Sequence, residues 1–143
     1  MKNVIFESEY ITNKKKVYNI LKEKAFKLEY EGLDKMQPQD KQEMYHYTLY
    51  INGVGFDYYE GLGHNPLDQE NIWYKIINAF DCLLKDSDTI NFFKSITDFM
   101  EEFGYCDYKQ ALDVFEGCKS INEKLTKLFT RQELNILREN IAF

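Results

Sequence analysis

Residues that break regular structure are scarce in this 143-residue chain, which has two prolines and seven glycines. That scarcity excludes a collagen-like or low-complexity protein and argues against disorder. No internal repeat recurs at the roughly 20–50-residue spacing of solenoids and propellers. Apolar runs are short too, none approaching the roughly 18–20 residues that span a bilayer. Three cysteines, Cys82, Cys106 and Cys118, are odd in number and far apart. They argue against a disulfide framework and predict reduced thiols. With only two histidines and no closely spaced Cys or His pair, the usual announcement of a zinc site is missing. The first residues carry neither a signal-peptide apolar region nor a small-residue cleavage site, so a cytoplasmic chain is expected.

Aromatics are plentiful, with 11 Tyr, 11 Phe and one Trp, and the length suits one domain over residues 1–143. The net charge of −6 is uneven. Residues 37–118 hold fifteen acids against five Lys, while both flanks are slightly basic. Such an acidic band repels nucleic-acid backbone and attracts a basic protein surface, or it simply solubilises.

The most legible stretch runs from Met44 to Glu60. Asn52-Gly53 separates two runs of β-branched and aromatic residues, the signal for a two-residue type I′ hairpin turn. That turn sets Ile51 opposite Val54, Leu49 opposite Phe56, Tyr47 opposite Tyr58 and Tyr45 opposite Glu60. Alternation then gathers Tyr45, Tyr47, Leu49, Ile51, Val54, Phe56 and Tyr58 on one apolar face that helices must cover. The other face carries His46, Thr48, Tyr50, Gly55, Asp57 and Tyr59.

Upstream, residues 8–24 read as an amphipathic helix capped by Ser8, with Ile11, Val17, Tyr18, Leu21 and Ala25 along its stripe. Phe26, Leu28 and Tyr30 then alternate with charges in a strand ending at Gly32, followed by a loop over 33–42. Downstream, Asn65-Pro66 suits a helix start, and a stripe from Ile72 and Trp73 to Leu84 predicts a helix to about Lys85. Ser95-Ile-Thr-Asp98 is a capping box for a short helix closed by Gly104. Ala111, Val114, Phe115, Cys118, Ile121, Leu125 and Leu128 keep helical spacing after Asp107. Thr130-Arg-Gln-Glu133 caps a last helix carrying Leu134, Leu137 and Ile141. The expected fold is α+β: a three-stranded antiparallel sheet, an N-terminal helix, and a helical C-terminal half of about four helices.

This order of motifs resembles a family of small, functionally unassigned bacteriophage and prophage proteins. The likeness rests on the aromatic hairpin, the Gly61-Leu-Gly-His64 corner and the helix Asn78-Ala-Phe-Asp-Cys-Leu-Leu-Lys-Asp86. It rests also on Ile96-Thr-Asp-Phe-Met-Glu-Glu-Phe-Gly-Tyr105 and on Ala111 and Cys118 in a long helix. It covers roughly residues 10–140 and departs at Asn78, where Asp is usual, and at Met100, where Cys is common. The resemblance implies a mobile-element origin. Small phage proteins without enzymatic motifs often bind host defence machinery, CRISPR effectors included. A non-enzymatic inhibitor of the anti-CRISPR type is therefore implied, directed at a host protein or ribonucleoprotein defence complex.

Sites of chemistry are weak. Gly61-Leu-Gly-His64 ahead of a helix can form an anion-binding nest, but no Lys or Ser/Thr follows to hold phosphate, and turning the chain explains both glycines. His64 reads better as a cap than as a base. Cys82 and Cys118 fall on apolar stripes, and Cys106 beside Asp107 lacks the setting of a nucleophile. Glu101-Glu102 and Asp86-x-Asp88 are paired carboxylates on polar faces, without the apolar cleft that acid–base catalysis needs. Tyr50, Tyr59, His46 and Thr48 on the second sheet face resemble a base-stacking platform, yet Asp57 sits among them and no basic residue does.

The leading expectation is a non-enzymatic protein with neither cofactor nor metal, no direct nucleic acid and no membrane. Its partner presents a basic surface to Tyr50, Asp57, Tyr59, Glu60, Asp68, Glu70, Glu101 and Glu102. The alternatives are a nucleic-acid-binding accessory protein using Lys14-Lys15-Lys16 and, third, a small metal-dependent enzyme.

Overall fold

A computed structural model describes residues 3–7, 15–36, 40–63, 65–67, 72–93 and 95–141, with backbone alone for 3–7, 72 and 73. Nine elements follow in order. They are β1 (Asn3–Glu7), α1 (Lys15–Lys22), β2 (Phe26–Asp34), β3 (Met44–Ile51), β4 (Val54–Glu60), α2 (Ile72–Phe92), α3 (Ile96–Phe103), α4 (Tyr108–Leu128) and α5 (Arg131–Ile141). The class is α+β. The three expected strands pair antiparallel, and β1 adds a fourth at the β2 edge, giving the order β1-β2-β3-β4.

The hairpin turn sets the sheet. Asn52 and Gly53 have φ of 49° and 80°, the left-handed pair that a type I′ turn demands. The observed register joins Ile51 to Val54, Leu49 to Phe56, Tyr47 to Tyr58 and Tyr45 to Glu60, as the turn dictates. Tyr47, Leu49, Ile51 and Phe56 are buried with Phe26 and Leu28 from β2, beneath Val17 and Leu21 of α1 and Ile76, Ile77 and Phe80 of α2. Leu125 of α4, Phe129, and Leu134, Leu137 and Ile141 of α5 complete this main core. A second, smaller cluster lies under α3, where Phe99, Ala111 and Phe115 are buried against Phe93, Ile96, Met100 and Tyr105. Phe99 and Tyr105 of the Ile96–Tyr105 stretch thus pack a core.

Capping works as read from sequence. Ser95 Oγ accepts from the Asp98 N–H at 3.2 Å, and Gly104 closes α3 at φ 69°. At α5, Thr130 Oγ1 accepts from the Glu133 N–H while Glu133 Oε1 accepts from the Thr130 N–H at 2.8 Å.

Four local readings need correction. The first helix ends at Lys22, and Ala25 is exposed in a turn at φ 49° rather than on an apolar stripe. Ser8 and Ile11 lie outside the described residues. Gly32 does not end its strand. At φ 104° it forms an irregularity after Tyr30, beyond which Leu33 and Asp34 pair with Tyr45 and Met44. α2 begins at Ile72, not at Pro66, and runs seven residues past Lys85 to Phe92. Its polar end is held from outside: buried Ser87 donates to Asn122 Oδ1 of α4 at 2.6 Å, and Asp88 Oδ1 accepts from Arg138 Nε of α5 at 2.9 Å. Finally, Cys118 is buried but Cys82 is exposed. Cys82 lies two residues beyond Phe80, roughly 200° around the helix from it. Among the described residues no helix is long and apolar enough to cross a membrane.

Candidate functional site

The residues expected to meet a partner fall in separate places. Tyr50, Asp57 and Tyr59 share the outer sheet face with His46, since His46 pairs with Tyr59 and Thr48 with Asp57. There they are tied to neighbours. His46 Nε2 lies 2.9 Å from Asp57 Oδ1, and the His46 ring stacks on Tyr59 at 4.6 Å between centroids. Contrary to the sequence expectation, a basic residue does join this face, because β2 pairs Lys27 with Tyr50. Lys27 Nζ sits 5.2 Å from the centre of the Tyr50 ring and pairs with Glu29 at 3.1 Å. Partial burial, then the Asp57 and Asp34 carboxylates, push the Tyr59 hydroxyl up in pKa. This face carries cation–π contact and ion pairing within itself.

Glu60 lies on the other face, at the core margin. Its Oε1 accepts from Lys75 Nζ at 3.1 Å and its Oε2 from the Tyr58 hydroxyl at 3.1 Å. Lys75 is only 4% exposed and lies over the Tyr47 ring. The Tyr47 hydroxyl in turn donates to Pro66 O at 3.2 Å, tying the following corner to the sheet. Burial first, and the Glu60 charge second, raise both Tyr47 and Tyr58 well above an ordinary phenol. Glu60 is the counterion of a buried lysine. Asp68, Glu70 and His64 lie outside the described residues.

Glu101 and Glu102 are different. Both are exposed on α3 and join no ion pair among the described residues. Beside them Phe103 is 55% exposed, and Phe92 at the end of α2 is 77% exposed. The two rings are joined through Phe93, which lies 4.7 Å from Phe92 and 5.6 Å from Phe103 between centroids. An aromatic ridge with two uncompensated carboxylates results. Sequence reading missed Phe92 and Phe103 because both follow the spacing of apolar residues that pack. Only their place at helix ends, where the covering layer stops, hints at exposure.

Chemistry of other kinds finds little support in the geometry. Among the described residues no three His, Cys, Asp or Glu side chains converge as a metal would require. Burial, with Asp86 nearby, pushes the Cys118 thiol up to about 11, and burial with Asp81 and Asp86 raises Cys82. Raised thiols are poor nucleophiles. At the corner, Gly63 takes φ 117° and Asn65 Oδ1 accepts from the Leu67 N–H at 3.0 Å, the geometry of a chain turning. The shallow hollow beside it is lined by Asp40 and Glu43 against Lys41 alone, which disfavours an anion. Lys15 and Lys16 are exposed on α1, while Lys14 lies outside the described residues. Comparison with known proteins finds no matching family model, curated protein or solved structure.

Proposed function

We propose that this chain is a non-enzymatic binding protein that captures a partner through an acidic, aromatic-bearing surface centred on α3. The observation that carries the reading is the exposed pair Phe92 and Phe103, joined through half-buried Phe93, beside Glu101 and Glu102. Exposed aromatic anchors are what interface hot spots are made of, and uncompensated carboxylates steer a basic partner toward them. The acidic middle of the chain supports the same sign of partner. The likeness to phage and prophage proteins points to a host defence complex as that partner, in the manner of an anti-CRISPR inhibitor. In this reading Tyr50, Asp57 and Tyr59 are an auxiliary face and Glu60 serves the fold.

The test is phage plaque formation on a panel of CRISPR-immune host strains expressing the chain. Wild type is expected to restore plaques on at least one strain. The variant Glu101→Lys/Glu102→Lys is expected to fail there with an unchanged melting temperature. Restoration on no strain, or equal restoration by the variant, overturns the proposal.

A further inference from the structure

We infer that a cleft of about 580 Å³ between α2, α4 and α5 binds a small organic anion, its ring or chain on an apolar floor and its charge on Arg131. This inference is independent of the α3 surface. The volume lies within the range of small-molecule sites and exceeds what a bare ion needs. Phe129 and Leu134, both nearly buried, form the floor.

The charged rim is Arg131 and Arg138 with one carboxylate, Asp88. Ser87 Oγ donates to Asn122 Oδ1, and an Arg138 amino group reaches Asn135 Oδ1 at 3.5 Å. Each amide oxygen is thereby engaged from within the fold, and each carboxamide has two N–H donors besides. Arg138 also gives Nε to Asp88, at 2.9 Å, which offsets its charge and leaves other donors of the fork unspent. Arg131 at the start of α5 joins no ion pair among the described residues. Two arginines therefore stand against one carboxylate in a protein whose overall charge is −6. A recess with two guanidinium groups against one carboxylate and an aromatic floor matches an oxyanion on an apolar body. A guanidinium suits either a carboxylate or a phosphate, which it meets with paired hydrogen bonds.

The experiment is an NMR titration of the full isotope-labelled chain with benzoate, phenyl phosphate and benzamide. Benzoate or phenyl phosphate is expected to move the side-chain amide signals of Asn122 and Asn135, and the stronger of the two names the anionic group. Benzamide, with the same ring and no charge, is expected to leave them unmoved. Arg131→Gln removes the charge without breaking an ion pair among the described residues and should weaken binding about tenfold, the scale of one charge-assisted pair. Asn135→Asp keeps an acceptor for Arg138 while adding negative charge, and should abolish binding in a folded protein. Absence of localised shifts with both anions, equal shifts with benzamide, or undiminished affinity in Arg131→Gln overturns the inference.

Discussion

At the scale of single residues, the pair Lys75 and Glu60 is costly to disturb. A lysine that is 4% exposed survives in the core margin because a carboxylate sits 3.1 Å away and the Tyr47 ring lies beneath it. Glu60→Gln leaves that ammonium buried without its counterion and should destabilise the fold by about 3 kcal/mol, measured by chemical denaturation. Adding Lys75→Met should recover most of the loss, because the desolvation penalty leaves with the charge. Thiol chemistry offers a second check. Iodoacetamide at mildly alkaline pH should modify exposed Cys106 first and Cys118 last, as followed by mass spectrometry. Cys118 is buried and its thiol is pushed up to about 11, so roughly one molecule in a thousand carries the reactive thiolate at pH 8. Exposed Cys82 should react more slowly than its accessibility suggests, since its thiol is raised too.

At the scale of elements, the joint between the α1–β2 turn and α5 holds the last helix. Glu133 completes the Thr130 capping box and pairs with Lys24 at 3.1 Å, while Lys24 also lies over the Phe129 ring. Partial burial works to raise the Glu133 carboxyl, but the Thr130 N–H and the Lys24 ammonium outweigh it, and its pKa is lowered. A carboxyl lowered on folding contributes stability above its unfolded value, near 4.3, and loses it as pH falls through the folded value. Glu133→Ala should therefore cost about 1 kcal/mol at neutral pH. The gap from wild type should narrow below about pH 4, as thermal melts at several pH values would record.

Much of this level was legible in the sequence. Asn52-Gly53 has a single favourable turn geometry between strands, and that geometry fixed the hairpin pairing residue by residue. Ser95, Gly104, Asp107 and Thr130 placed helix ends because capping is local chemistry. What escaped depends on distant partners. β1 is only five residues long and shows itself only through pairing with β2. α2 continues through Asp86-Ser87-Asp88, poor helix formers, because Asn122 and Arg138 arrive from α4 and α5 to engage them. Positive φ at Ala25 has no sequence signal at all, since alanine is a strong helix former.

At the scale of the molecule, a sheet roofed by helices forms the main core, and α3 rides on its own smaller cluster. The candidate site divides along that line. The hairpin residues named from sequence were recognisable as a face, but sequence does not say that His46, Asp57, Lys27 and Glu29 would engage one another. Glu101 and Glu102 were recognisable as charges, yet their exposed aromatic neighbours were hidden by apolar spacing that elsewhere means burial.

The central claim is that the α3 ridge meets the partner, and crosslinking in living cells tests it most directly. A photoreactive phenylalanine analogue would replace Phe103 in one variant and Asp57 in another, expressed in a host on which the chain is active. One dominant adduct is expected from position 103, lost when Glu101→Lys and Glu102→Lys are added. No adduct from 103, an adduct indifferent to those two charges, or a stronger adduct from 57 would contradict it.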